Sequence, residues 1–258
     1  TVTGVQTCAL PISLEQEWRV RVEPKWGSRE LSSISNSEVQ EWVAAMSTAG
    51  LSASVILRAE ALLSGLCRQA VKDRLIGADP CDDLELPKKK RKEHRYLSMT
   101  ELIRLAETSG WRRPIVLVLG LTGMRWGELV GLRVKDVNLE RRRLWIRRNV
   151  VEVDGELVVN TPKSDKWRQV VYPAILDDDM RSLVDGRKPD DILFEQPGSG
   201  FLRRTHGPKS SSSWFYWAKK HADIDNELTV HDLRHTAASL MVRAGANVKA
   251  VQRQLGHA

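Results

Sequence analysis

Residues 231–245, His-Asp-Leu-Arg-His-Thr-Ala-Ala-Ser-Leu-Met-Val-Arg-Ala-Gly, constrain the chain more than any other stretch. Thr229 stands where an N-cap belongs and Gly245 closes the run, so the segment reads as a helix. Residues three and four apart share a helix face. His231, Arg234 and His235 therefore project together, while Leu233, Ala237, Leu240 and Met241 are left to face a core. A guanidinium keeps its charge and offers a planar fork of donors matched to phosphate. An imidazole exchanges a proton near neutral pH. The pair points to a site that grips an anion and performs acid–base chemistry on it. His-x-x-x-His also occurs in zinc peptidase helices as H-E-x-x-H. Here Asp232 stands in place of the glutamate, Arg234 adds a fixed positive charge, and no further ligand is evident, so no metal is expected. A helix start carrying solvated polar groups is the plainer alternative.

Charge supports an anionic partner. The net charge is +7 and the pI about 9.4, which fits nucleic acid most simply. At 258 residues with 41% hydrophobic content, two domains with true cores are expected. The three cysteines, Cys8, Cys67 and Cys81, form no C-x-x-C pair. That fits a reducing cytoplasm and argues against a disulfide framework or a structural zinc. The longest purely apolar run, residues 115–119, is too short to span a bilayer, and no signal peptide is visible. Residues 1–12 match nothing that follows in pattern and read as a non-native or disordered leader.

Residues 13–86 are helical in pattern. Ser35 and Glu38 make a capping box, and Val39, Trp42, Val43 and Met46 follow at helical spacing until Gly50. A second helix begins near Ser52 or Ser54 and is expected to stop around Gly77, ahead of Asp79-Pro80. Residues 87–95 read as a basic interdomain linker that crosses a phosphate backbone. A solvated charge run or a nuclear localisation signal also fits its letters.

Beyond it, Ser98 and Glu101 form another capping box, and Pro114 suits the first turn of a buried helix. Thr122-Gly123-Met124-Arg125-Trp126-Gly127-Glu128 then delivers an arginine straight after that helix. A buried arginine needs a partner, which Glu128 or a bound anion could supply. Residues 144–146, 157–159 and 170–172 are short β-type runs, expected to form a three-stranded antiparallel meander with Lys163 at or next to its second turn. Helices resume near residues 174–184, 208–221, 231–244 and 248–255, the last capped by Asn247. The fold class is mainly α with a small antiparallel β-sheet.

Arg125, Lys163, His231 with Arg234, and His257 are the complementary groups that these segments supply. Their order and surroundings resemble the tyrosine recombinase (phage integrase) family: TGMRWGEL carries the first arginine, TPKSDKWRQV the lysine, HDLRHTAAS the second box and LGHA the last histidine. The resemblance covers the chain from about Glu93 to its end, and residues 13–86 look like that family's helical core-binding domain. It implies residues 96–258 as a catalytic domain clamped with the helical domain around double-stranded DNA at attachment-type sites. Other protomers would join on DNA in a tetrameric synapse. It further implies metal-free transesterification through a 3'-phosphotyrosyl intermediate, with no cofactor and no membrane, in bacterial or phage-encoded cytoplasmic machinery acting on the nucleoid.

In that scheme Arg125 and Arg234 neutralise the charge that builds on the phosphate. Lys163 protonates the leaving sugar oxygen, His231 assists removal of the nucleophile's proton, and His257 hydrogen-bonds the phosphate. Glu128 and His235 act as supports that aim these groups. The family's nucleophilic tyrosine lies a short helix beyond the last histidine. Tyr96, Tyr172 and Tyr216 do not occupy that position, so the expectation is a chain lacking its C-terminal segment and inactive in cleavage. A non-catalytic DNA-binding relative, such as an excision or regulatory protein, is the alternative. It has no use for a proton-donating lysine beside two phosphate-clamping arginines. A type IB topoisomerase shares the chemistry but resembles the helical domain less.

DNA contacts are expected from Lys88, Lys89, Lys90, Arg91, Lys92 and Arg95, and from Arg141, Arg142, Arg143, Arg147 and Arg148. Each phosphate neutralised contributes about −0.9 to the slope of log K against log salt. Replacing residues 88–92 with serine is expected to flatten that slope in a binding titration, and an unchanged slope assigns the run to solvent.

Overall fold

In the computed structural model, residues 12–89, 95–153, 155–160, 167–196, 198, 200–205, 207, 209–225 and 227–256 are described. The chain divides into two compact units, Thr1–Lys92 and Glu93–Ala258.

The first unit is helical. Helix α1 (Ile12–Glu17) runs through a π-helical stretch, Trp18–Val22, into α2 (Glu23–Trp26). Pro24 has no N–H to donate into the helix, and the Glu23 N–H reaches back five residues to Trp18 O. Such a one-turn widening keeps the axis continuous past a proline. The expected Ser35–Glu38 capping box is present and opens α3 (Asn36–Thr48). Val39, Trp42, Val43 and Met46 are buried there with Val22, Trp26, Ile56 and Leu63, and Trp26 meets Trp42 edge to face at 5.7 Å. Helix α4 (Ala53–Lys72) stops five residues before the expected Gly77. Arg74 adopts left-handed φ 58° and the Leu75 N–H bonds Ala70 O at 2.9 Å. This is a Schellman closure made by an arginine, which the letters do not announce. The returning loop is fastened to α3: the Asn36 side chain donates to Pro80 O and Asp82 O, and Gln40 exchanges hydrogen bonds with Glu85.

In the second unit, α5 (Met99–Glu107) opens with the Ser98–Glu101 box and α6 (Arg113–Thr122) carries Pro114 in its first turn. Every residue from Ile115 to Thr122 is buried. Left-handed Gly123 ends α6, and α7 (Trp126–Val130) follows at once. Five strands come next: β1 (Val137–Asn138), β2 (Arg143–Ile146), β3 (Asn149–Val153), β4 (Glu156–Asn160) and β5 (Arg168–Val171). Helix α8 (Asp177–Val184), the short β6 (Glu195–Gln196) and β7 (Gly200–Phe201), and then α9 (Trp214–His221), α10 (Asp232–Arg243) and α11 (Val248–Leu255) complete it. Helix α10 packs chiefly on α6, with Leu233 and Ala237 fully buried. The class, helices with small antiparallel sheets, is as expected.

The strand pairing differs from the expected meander. β2 pairs directly with β5, Leu144 opposite Val170, and β1 flanks β2 on its other edge. β4 instead pairs with β3 as a separate hairpin, Val151 opposite Val158. With Val153 paired to Glu156, β4 takes the nearest segment of matching length, which residues 149–153 supply. Because β4 is largely exposed, its apolar letters carry no information about which sheet it joins. Helix α9 also begins later than expected, at Trp214. Ser213 caps it, accepting from the Phe215 N–H, and the serines before it bond locally, as serine side chains do in competition with a helix.

Gly127 lets α7 lie against β3. A Cβ there would sit 2.4 Å from both Asn149 Oδ1 and the Val150 carbonyl oxygen. Gly127→Ala is therefore expected to destabilise the protein by about 1–3 kcal/mol, read from the midpoint of urea unfolding. At Gly65 in α4 nothing lies within 4 Å of a built Cβ, and Gly65→Ala is expected to be neutral or stabilising by up to about 1 kcal/mol.

Candidate active site

Helix α7 begins where α6 ends, and that junction holds the first arginine. The Arg125 N–H donates to Glu128 Oε2 at 2.8 Å, and Arg125 Nη1 donates to Glu128 Oε1 at 2.8 Å. Glu128 is only 3% exposed, whereas the Arg125 side chain is 43% exposed. The carboxylate is thus a buried anchor and the guanidinium keeps an open edge. Glu128 has a second partner that the sequence reading missed. Arg168, first residue of β5, donates from both terminal nitrogens to both carboxylate oxygens at 2.7 Å. Burial pushes the Glu128 carboxyl up, but the Arg168 fork, joined by Arg125, outweighs it and holds the group below its ordinary value. The signal for Arg168 lay in strand periodicity: it shares a face with buried Val170, and an arginine on a core-side face needs a carboxylate.

The second arginine comes from α10. Thr229 and Asp232 cap its start reciprocally: Asp232 Oδ2 accepts from the Thr229 N–H and hydroxyl, and the Asp232 N–H donates to Thr229 Oγ1. That gives Asp232 a capping role in place of the glutamate of a zinc motif. Arg234 is buried and donates to the Gly123 carbonyl and, at 2.8 Å, to Leu255 O. It ties the end of α6 to the end of α11. Burial, with Arg125 nearby, lowers its pKa to about 10, so it stays charged at neutral pH.

His231 completes the cluster. One cleft of about 410 Å³ is lined by Arg125, Trp126, Asn149, Glu152, Arg204 and His231. A smaller one joins Arg204 and His231 to Arg234 and Met124, and a third joins the same two residues to Tyr216 and Thr229. Arg204 therefore borders all three clefts beside His231. It follows β7 in a loop, and no periodicity or spacing marks it. Burial, then the charges of His235 and Arg234, hold the His231 pKa below its ordinary value. The His231 and His235 rings meet edge to face at 5.4 Å, and the Tyr96 ring meets His235 edge to face at 6.4 Å.

Among the predicted site residues, Arg125, Glu128, His231, Arg234 and His235 are brought together. Lys163 and His257 lie outside the described residues, as do Lys90, Arg91 and Lys92. Lys163 falls between β4 and β5, which belong to different sheets. Gly256, next to His257, closes α11 in the left-handed region, and a Cβ there would sit 2.7 Å from Arg168 Nε. Lys88, Lys89 and Arg141 are exposed. The other proposed DNA contacts have protein partners: Arg95 pairs with Glu101 and Asp225, Arg142 with Asp177, Arg143 with Gln169, and Arg148 with buried Asp136. Arg147 lies 3.6 Å from Asp136 and stands over the rings of Trp145 and Trp167.

Known proteins resemble this chain in sequence and in fold. The model of the phage integrase family matches residues 92–258. A prophage phiRv2 protein of Mycobacterium tuberculosis strain H37Rv is 31% identical over 238 residues, which are 88% of this chain and 61% of that protein. The tyrosine recombinase XerD of Staphylococcus saprophyticus is 27% identical over 234 residues, 87% of this chain and 75% of that protein. The chain thus spans about three fifths of the length of its mycobacterial relative. Among solved structures, the Tn1549 transposon integrase in complex with a circular intermediate DNA superposes with a TM-score of 0.80 at 21% identity, covering 94% of this chain and 84% of that one. A lambda integrase tetramer bound to a Holliday junction gives 0.67 at 17% identity, covering 96% and 70%. Both share the fold.

The depressed His231 pKa has a direct check. Its imidazole signals in an NMR titration are expected to move with a midpoint below 6.5, the ordinary histidine value. In His235→Gln the midpoint is expected to rise, because one of the charges that disfavour the imidazolium has gone.

Proposed function

The chain belongs to the phage integrase family, and from that membership we propose that it carries the DNA-gripping, phosphate-activating machinery of a site-specific recombinase. The observation that supports this most is the convergence of Arg125, Arg234 and His231 on adjoining clefts with Glu128 buried behind them. A cluster with more guanidinium than carboxylate charge, open on one edge, is built for an oxyanion.

The chemistry is metal-free transesterification. A tyrosine oxygen attacks the backbone phosphorus, the 3'-phosphotyrosyl bond forms as the bond to the leaving sugar oxygen breaks, and the phosphodiester energy is kept in the new ester. Negative charge grows on the non-bridging oxygens. Arg125 and Arg234 meet it from two sides, the task a metal performs elsewhere. His231, held neutral by its surroundings, accepts the tyrosine proton. Lys163 delivers a proton to the departing oxygen, and His257 donates to the phosphate. Arg204 adds a charge at the rim of the same cleft. Residues 13–86 serve as the core-binding domain, residues 88–92 contact the DNA backbone, and double-stranded attachment sites with further protomers are the partners. This activity belongs in the cytoplasm, on nucleoid DNA; no helix among the described residues is long and apolar enough to cross a membrane.

The three tyrosines of residues 1–258 do not serve as nucleophiles in this reading. Tyr172 is 1% exposed with its hydroxyl buried, Tyr96 sits on His235, and Tyr216 borders the cleft beside His231. Positioning a nucleophile is itself worth roughly 7–11 kcal/mol in well-oriented cases, so water is no substitute.

Residues 1–258 alone are expected to bind a nicked suicide-type attachment-site DNA without forming a covalent adduct on a denaturing gel. An adduct through Tyr216 would overturn the assignment. With the family's tyrosine segment joined on, Arg125→Ala and Arg234→Ala are each expected to slow adduct formation by about 100- to 1,000-fold. Wild-type rates in either would remove that arginine from the clamp. A 5'-thio leaving group is expected to rescue Lys163→Ala, because a thiolate departs without a proton.

A further inference from the structure

The helical unit contains a cluster that nothing in DNA strand transfer uses. Cys67 on α4 and Cys81 on the returning loop are both buried free thiols. The fold brings them together with the Asp79 carboxylate so that the two sulfurs and a carboxylate oxygen all lie within 4.8 Å of one another. Two donors that share an ion at about 2.0–2.3 Å are separated by no more than roughly 4.6 Å, so a small closure of the loop suffices. Spacing in the sequence hides this trio, because a helix and a loop supply its members.

The surroundings hold these groups in place. Asp79 is 9% exposed. Its Oδ2 accepts from the Ser64 hydroxyl at 3.1 Å and its Oδ1 from the Cys81 N–H at 2.9 Å. Each thiol feels the other: Cys81 beside it draws the Cys67 pKa down, while Cys67 and burial push that of Cys81 up. Glu60, Ser64 and Cys67 stand at i, i+4 and i+7 on one face of α4. Glu60 is half-buried, and burial raises its carboxyl. Arg68 Nε, 4.0 Å from Asp79, brings positive charge to the rim.

We propose that Cys67, Cys81 and Asp79 form a site for one thiophilic divalent cation of the zinc class, with Glu60 or water as the fourth ligand. Two sulfurs select a soft or borderline ion over magnesium or calcium, which prefer oxygen. Binding converts both thiols to thiolates, releases two protons to solvent and leaves the metal with two thiolates and one carboxylate, a net single negative charge beside Arg68. The ion would pin the 79–86 segment to α4 just ahead of the basic linker, adding to the Asn36 and Gln40 contacts that already hold it to α3.

The test is a titration of the purified, reduced chain with Co2+, followed by Zn2+. A thiolate-to-cobalt charge-transfer band is expected at one ion per chain, bleached by Zn2+, together with a metal-dependent rise in unfolding temperature. Cys81→Ser and Asp79→Asn are each expected to weaken binding at least tenfold, and Cys8→Ser to leave it unchanged. Should Cys81→Ser fail to fold, alkylation of the wild type decides: Zn2+ is expected to protect Cys67 and Cys81 from iodoacetamide and not Cys8. Absence of the band, equal binding in Cys81→Ser, or capture of the pair as a disulfide in preference to the metal would each overturn the proposal.

Discussion

The site depends on one buried carboxylate. Glu128 is 3% exposed and meets Arg125 on one side and the full fork of Arg168 on the other. A carboxylate so placed costs several kcal/mol unless paired, and removing one partner of such a group typically costs roughly 3–5 kcal/mol. The pairing therefore fixes more than a side chain. Through Arg125 it sets the start of α7; through Arg168 it joins α7 to β5; and Arg168 in turn lies against Gly256 at the end of α11. One pair of oxygens thus joins α7 to β5, with the end of α11 packed beside Arg168.

The same arrangement leaves positive charge over. Among the described residues Arg125, Arg168 and Arg234 gather around Glu128, and the depression of the Arg234 pKa to about 10 reflects both its burial and the proximity of Arg125. Arg234 donates to the carbonyls of Gly123 and Leu255, which hold its guanidinium in place. An anion in the adjoining clefts relieves this repulsion. On the proposed function this is the physical reason a phosphate would be held there, most of all one whose charge grows in a transition state.

Legibility from sequence followed burial and periodicity. The caps at Ser35, Ser98 and Asn247, the buried run from Ile115, and the cluster of Arg125, Glu128, His231, Arg234 and His235 were readable because local chemistry and structure agree there. The partner of β4 was not, since an exposed strand can join either neighbour without burying its apolar residues wrongly. The end of α4 was missed because an arginine makes its left-handed closure. Arg168 was recoverable from its place on the core-side face of β5. Arg204, in a loop without pattern, was not, and neither was the meeting of Cys67 with Cys81, which exists only after the loop folds back on its helix. Several of the surface arginines expected to contact DNA hold intramolecular partners, Arg142 and Arg148 above all, because a basic letter does not reveal whether a carboxylate will lie beside it.

A crystal structure of residues 1–258 on duplex DNA tests the central claim most directly. The account predicts one backbone phosphate with its non-bridging oxygens about 2.7–2.9 Å from the Arg125 and Arg234 guanidiniums, His231 beside it, and Arg168 still paired at both oxygens with Glu128. A DNA backbone that passes over another face, or an Arg168 that leaves Glu128 to bind the phosphate while Arg125 turns away, would contradict it.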